Sequence, residues 1–522
     1  MKMVFVSVLT VSLAMLASGC QATPAAPLDA PSVFVPPTGP AAPVANALPF
    51  PQSALARSGF ANPPALPSNL TQAEMEERIL GLFANMLRYN IIVDSNANHR
   101  TRESFRIVFQ HRSSWPGGAT VPGSAIGNVH NITVSESHGY GMMILALMAG
   151  SEDRLDFDEW LFGGNIRDYF DAMVRTMQGF PSARSRNTSL MSWRLWGYGN
   201  DERDRDLFHA TGNPEGIQVA GYRLVNGIRV APFRNEGTHL GATGNSATDG
   251  DMDMIYALIL ADRQWGSDGA IDYMGLALRK LADFYRFCVH RDYRTLLLGD
   301  WASWSPGTTL GDATRASDFI LSHLITFRDV DPAHDWQAVI DATLNAIWEI
   351  RSELNARGGP FYQNGLLPDF IVRQDGSWAV PPGQILESQH DGRWHWNSVR
   401  VPWRMGTTYI LFGDMPVGSS TLYDLIIAPL DNFARTRPGG LNMGTMNMNG
   451  TLVGSPGPAM VRDFATPFVV TAAARGGHPN QWVDEFWGPR IPNGMHHFQN
   501  NVYGDYFRLI SLITASGNYW IP

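Results

Sequence analysis

The sequence predicts an all-α protein, a barrel or toroid of helical hairpins with long loops and a few short strands. Apolar residues recur at helical spacing in about ten to twelve segments. Strand-like alternation is nearly absent, and long connectors rich in Gly, Asn, Ser and Trp, such as 178–246 and 355–400, separate the helical stretches. A parallel sheet would need strands alternating with helices, and the missing alternation argues against that class. In a barrel of hairpins, function belongs on the loops at one end.

The elements follow in order. Residues 1–20 read as an export signal, with Lys2, an apolar run from Val4 to Leu16, then Ala17-Ser18-Gly19-Cys20. The small residues before Cys20 resemble a lipobox, which predicts lipidation of Cys20 and anchoring to a bacterial membrane, or plain secretion without it. Residues 21–68 are Ala/Pro-rich and nearly uncharged, a composition that holds neither helix nor central strand and predicts a disordered, extended spacer. The folded domain is expected over 69–522. It opens at a capping-box pattern, Thr71-Gln72-Ala73-Glu74, followed by Ile79, Leu80, Leu82, Phe83, Met86 and Leu87. Further helices are expected over 166–177, 252–264, 271–289, 317–327, 336–354, 403–412, 422–434, 458–474 and 502–512, and a hairpin around Asn226-Gly227. The remaining cysteine, Cys288, lies on an apolar helical stretch and reads as a buried small hydrophobe.

Composition narrows the partners. The 522 residues carry a net charge of −9, which disfavours nucleic acid, whose phosphates need a basic face. With 16 Trp, 15 Tyr and 26 Phe, aromatic-lined surfaces are expected. No metal or cofactor is expected. Asp249, Asp251 and Asp253 mimic the start of a calcium loop, but Met254 and Leu260 stand where that loop needs Gly and Glu. The adjacent His496 and His497 lack a zinc spacing, and phosphate-loop, dinucleotide and nucleophile-elbow patterns are absent. A monomer is expected.

What remains is carboxylates among aromatics. Glu136 sits where a polar segment meets an apolar helix, either capping that helix or facing a cleft. Asp249, Asp251 and Asp253 crowd at alternate positions, a costly arrangement that function often explains. Two separated carboxyls with stacking platforms are what glycosidic cleavage needs, one protonating the leaving oxygen and the other stabilising the sugar cation or activating water. Tyr140, Trp193, Trp396 and Trp403 would contribute the aromatic surface. Arg400 and Arg404 are i,i+4, so one would pin a carboxylate while the other packs outside.

Three blocks, Ser135-Glu136-Ser137-His138-Gly139-Tyr140-Gly141-Met142, Ala247-Thr248-Asp249-Gly250-Asp251, and Asn397-Ser398-Val399-Arg400-Val401-Pro402-Trp403-Arg404, resemble the signatures of glycoside hydrolase family 8. The resemblance spans about residues 72–515. It implies a six-fold α/α barrel and inverting endo-hydrolysis of a β-1,4-linked polysaccharide. By position, Glu136 is the implied general acid and Asp249 the residue that grips the sugar. Asn397, however, stands where many members carry the catalytic Asp, and an amide cannot take a proton from water. One subgroup pairs that Asn with a Glu from a preceding insertion, which resembles 365–392 here and implies Glu387 as base, with Asp391 and Asp369 as rivals, Asp369 fitting better as a structural cap or loop anchor. That subgroup implies chitosanase or β-glucanase activity. Thr314–Asp318 with His323 resembles a subgroup segment lining the cleft, and Asp251 and Asp318 join Asn397 and Arg400 as expected substrate contacts. The alternative is a catalytically silent glycan-binding lipoprotein.

Overall fold

The computed structural model describes residues 47–52, 59–94, 104–110, 129–155, 165–184, 188–198, 223–225, 228–231, 233–235, 244–359, 362–438, 440–476, 481–487 and 503–522, all within the compact unit Ala41–Pro522. The expected signal, Cys20, Asn226-Gly227 and His496-His497 lie outside the described residues.

Helices dominate. They are α1 (Gln72–Asn90), α2 (Ser135–Leu147), α3 (Ile166–Gly179), α4 (Thr248–Trp265), α5 (Tyr273–Cys288), α6 (Leu321–Val330), α7 (Trp336–Ala356), α8 (Val401–Phe412), α9 (Ala428–Thr436), α10 (Pro458–Ala465), α11 (Phe468–Arg475), α12 (Gln481–Trp487) and α13 (Tyr503–Ala515). Both halves of the capping box form at α1: Thr71 Oγ1 accepts the Glu74 N–H and Glu74 accepts the Thr71 N–H. The apolar run from Pro458 to Ala474, expected as one helix, breaks at Thr466-Pro467 because proline has no N–H to donate. The run from Leu422 opens instead with a π turn, Tyr423–Ile427, ahead of Pro429 in α9.

Strands are short and pair across long sequence distances. β1 (Ile91–Asp94) lies between antiparallel β2 (Ile107–Phe109) and parallel β6 (Ile228–Ala231). β5 (Arg223–Val225) pairs antiparallel with β6, matching Val225 to Ile228. A second sheet joins β3 (Val129–Val134), β4 (Arg194–Tyr198) and β7 (Phe233–Asn235), and β3 runs directly into α2. The third joins β8 (Thr314–Arg315), β9 (Phe370–Gln374) and β10 (Ser377–Ala379). Its hairpin turns at Asp375-Gly376, both with positive φ (50° and 83°), the conformation an Asp-Gly pair suits.

The expected spacer up to residue 68 is corrected in part. Residues 47–52 and 59–68 carry no helix or strand, but they are packed rather than free. Phe50 is buried and donates its N–H to Ala149 O (2.7 Å), Asn62 N–H reaches Ile410 O (3.0 Å), Ala65 N–H reaches Ala473 O (2.8 Å), and Ser68 bonds Asp484. Proline forbids a helix there without forbidding burial.

The centre of the core is α2 against α4, every residue of α2 being buried. Their contact is close because it is made by glycines. A Cβ on Gly139 would stand 2.6 Å from Asp253 Cβ and 3.0 Å from Gly250 O, and one on Gly250 would overlap Ser135. This contact sets Glu136 beside Asp249.

Candidate active site

Glu136 enters from the first turn of α2. Val134, the residue before that helix, offers no side-chain cap. The Glu136 carboxylate receives the Trp193 indole N–H, 3.0 Å to Oε2 and 3.3 Å to Oε1. Burial pushes the Glu136 carboxyl up to about 8, with the negative charge of Asp249 adding to the rise and Arg400 and Arg315 opposing it. At neutral pH it therefore holds a proton. Asp249 goes the other way: burial favours its acid form, but Arg400, Arg315 and Arg404 together hold it below the ordinary carboxylate value. Two neighbouring carboxyls driven apart in this way divide acid from anion.

Two ion pairs join α4 to the approach of α8. Arg400 Nη1 lies 2.5 Å from Asp249 Oδ2, and Arg404 grips Asp253 with both terminal nitrogens at 2.8 and 2.6 Å. All four side chains are buried, so Arg404 does not pack outside as expected. Arg400 also donates to Tyr140 Oη (3.0 Å) and to the Asn397 side-chain oxygen (2.8 Å). The other end of the Asn397 amide donates to Glu387 Oε2 at 2.9 Å. A chain of contacts thus runs from Asp249 through Arg400 and Asn397 to Glu387. Arg315, held by Leu298 O, completes it, 3.4 Å from Glu387 and 3.5 Å from Asp318. Burial raises Asp318 to about 7, against the pull of Arg315.

The carboxyls of the insertion separate cleanly. Asp391 is buried and accepts the backbone N–H groups of Ile385, Leu386, Glu387 and Ser388. Asp369 accepts those of His395, Asn397 and Ser398, with the Ser398 hydroxyl besides. Both are loop anchors. The Glu387 side chain is 39% exposed and faces Arg315 and Asn397, leaving it room to meet water.

Several expected contacts are relocated. Asp251 is fully buried and ion-paired with Lys280 at 2.5 Å, away from the Glu136 cluster. The Trp403 ring is buried beneath the Arg404 guanidinium, 3.8 Å away, and against Tyr140, which makes it core. Tyr140 is buried as well and bonds Arg400, so neither offers a stacking face. Asp249 has no exposed surface for the sugar grip expected of it, and its effect on the site is electrostatic. His323 binds Asp253 at 3.0 Å and stacks on Tyr256 instead of lining the cleft. Half-buried Trp193 and Trp396 remain on the accessible side, Trp193 under the Arg194 guanidinium and Trp396 edge-on to Phe464. Arg315 is the participant that sequence reasoning passed over. Its only signal was its place in the Thr314–Asp318 segment.

The chain is 31% identical to a β-glucanase of Niallia circulans over 390 residues, 74% of this chain and 77% of that protein. It belongs to glycoside hydrolase family 8. It is therefore a glycosidase, and the silent binding-protein alternative is set aside. An endoglucanase of Bacillus sp. strain KSM-330 is 24% identical over 84% of the chain and 80% of its own length. Among solved structures, a β-1,3-1,4-glucanase from Paenibacillus sp. X4 superposes with a TM-score of 0.66 at 25% identity, covering 91% of this chain and all of that one. A cold-adapted family 8 xylanase superposes with a TM-score of 0.57 at 14% identity over 88% of this chain and 98% of its own, a likeness of fold. No family model matches the chain. Among the described residues no helix is long and apolar enough to cross a membrane.

Proposed function

We propose that this glycosidase is an inverting endo-hydrolase of β-1,4-linked polysaccharide, acting on β-glucan, chitosan or both, with Glu136 as general acid and Glu387 as general base. The observation that carries the reading is the Asn397 amide, which donates to Glu387 at 2.9 Å while its oxygen accepts from Arg400. Where an aspartate would hold water, the asparagine instead orients a neighbouring carboxylate. Glu387 draws the proton from water as the water oxygen bonds the anomeric carbon. Glu136, protonated at neutral pH, gives its proton to the leaving oxygen. Trp193 keeps the acid aimed, Arg315 and Arg400 balance the charges, and Trp396 offers the sugar a half-buried aromatic face.

Glucan has the stronger support as substrate, because the relatives carry the names β-glucanase and endoglucanase. The net charge of −9 would draw a cationic polymer such as chitosan to the surface. Residues 1–20 would export the enzyme and, with Cys20 acylated, anchor it.

Reducing-end release on mixed-linkage β-glucan and on soluble chitosan, measured side by side from pH 4 to 8, assigns the polymer. Glu136→Gln and Glu387→Gln should each lower kcat by roughly 10²–10⁴-fold with binding retained. The first-formed product should carry the α anomer. A fully active Glu387→Gln enzyme would remove the base assignment, and a β product would remove inversion.

A further inference from the structure

We propose that Asp391 is a positioning residue for the base, acting through the backbone of 385–388 to hold Glu387 against Asn397. The inference rests on the reading of Glu387 as base. Asp391 Oδ2 accepts the N–H groups of Ile385 (2.8 Å), Leu386 (2.8 Å) and Glu387 (3.1 Å), and Oδ1 accepts that of Ser388 (2.8 Å). These four residues belong to no helix or strand, and Leu386 is 39% exposed. Surface backbone of this kind is ordinarily the loosest part of a fold, with its N–H groups left to solvent. Here one buried carboxylate gathers all four.

Asp391 is itself moored, since its carbonyl accepts the Phe370 N–H at 2.9 Å. Phe370 begins β9 and pairs with Arg315 on β8. The base is thereby tied to the strand pair that carries the cation facing it, 3.4 Å from Glu387. Asp369 applies the same device to the other side, fixing the N–H groups of His395, Asn397 and Ser398. Two anchored loops meet where Asn397 Nδ2 donates to Glu387 Oε2. A general base works only within hydrogen-bond reach of its water, and a displacement of about 1 Å costs roughly 10²-fold in rate.

The experiment is steady-state hydrolysis of mixed-linkage β-glucan by the full chain and its Asp391→Ala, Asp391→Asn and Glu387→Ala variants, with and without sodium azide. Azide is an anionic nucleophile that attacks the anomeric carbon without needing a base, giving a glycosyl azide while Glu136 protonates the leaving oxygen. The expected result is a loss in kcat of about 100-fold for Asp391→Ala with KM nearly unchanged. Azide should restore turnover in both Asp391→Ala and Glu387→Ala. Asp391→Asn, which keeps the volume and one acceptor oxygen, should fall between Asp391→Ala and wild type. Wild-type kcat in Asp391→Ala, or a loss that azide does not restore although it restores Glu387→Ala, would overturn the proposal. Full activity in Glu387→Ala would strike the base assignment itself, and the proposal with it.

Discussion

Asp249 and Asp253 stand one turn apart on α4, Arg400 and Arg404 one turn apart at the approach to α8, and the two elements pair them rung by rung. Spacing, residue types and burial are the same, yet the neighbours differ. The Arg404 pair is bidentate and closed in by His323, Tyr256 and the Trp403 ring. Its second partner, His323, is held neutral by burial, lowered to about 4. The Arg400 pair is a single contact, and its spare donors go to Tyr140 and Asn397 and through Asn397 to Glu387, while Asp249 acts on Glu136. A buried ion pair is thus structural or functional according to what else its members touch.

The largest expected effect breaks the structural rung. Asp253→Asn leaves Arg404 buried without its carboxylate, and removing one partner of such a pair costs about 3–5 kcal/mol. Denaturant unfolding should register that loss, while kcat per folded molecule stays close to wild type. A folded Asp253→Asn enzyme with collapsed kcat would show that both rungs serve the chemistry.

Asp249→Asn sharpens the other side. Arg400 keeps Tyr140 and Asn397 as acceptors, so the stability loss should be smaller than for Asp253→Asn. The pH profile should move instead. Activity requires Glu136 protonated, so the alkaline limb of the wild-type profile should lie near 8, falling as pH rises. Removing the Asp249 charge takes away a cause of that elevation and leaves the Arg400 charge unopposed, so the limb should move to lower pH. An unmoved limb would mean that Asp249 does not set the acid. The same elevation carries a stability consequence: folded Glu136 keeps its proton above the ordinary 4.5, so its contribution declines as pH rises from there through about 8.

The helices were legible because each depends on local spacing, as at α3, α5 and α7. Illegible parts depend on distant partners. β1 pairs with β6 across more than a hundred residues, and nothing in Ile91–Asp94 announces it. The packed segments 47–52 and 59–68 were hidden because their prolines speak about helix formation and not about burial. In the site, Glu136 and Asn397 could be read from motif order, and Asn397 pointed to a carboxylate elsewhere. Asp369 could be read as a loop anchor, but that Asp391 is one too was unreadable, since only the folded loop shows which carboxylate collects backbone N–H groups. Arg404 was misplaced because i,i+4 spacing gives a shared face and says nothing of a second aspartate waiting one turn below the first.

The smallest effect belongs to Trp193, the other control on Glu136. Its indole N–H donates to the carboxylate, and a donor favours the ionised form. Trp193→Phe keeps the ring under Arg194 and removes only the N–H. The acid should then hold its proton more tightly, and the alkaline limb should move up by a fraction of a pH unit, opposite in sign to the shift in Asp249→Asn. Because the buried side of the comparison lowers the limb and the accessible side raises it, the double variant should return the limb toward its wild-type place. Profiles of the two single variants moving in the same direction would mean that one of these contacts is not made by the working enzyme.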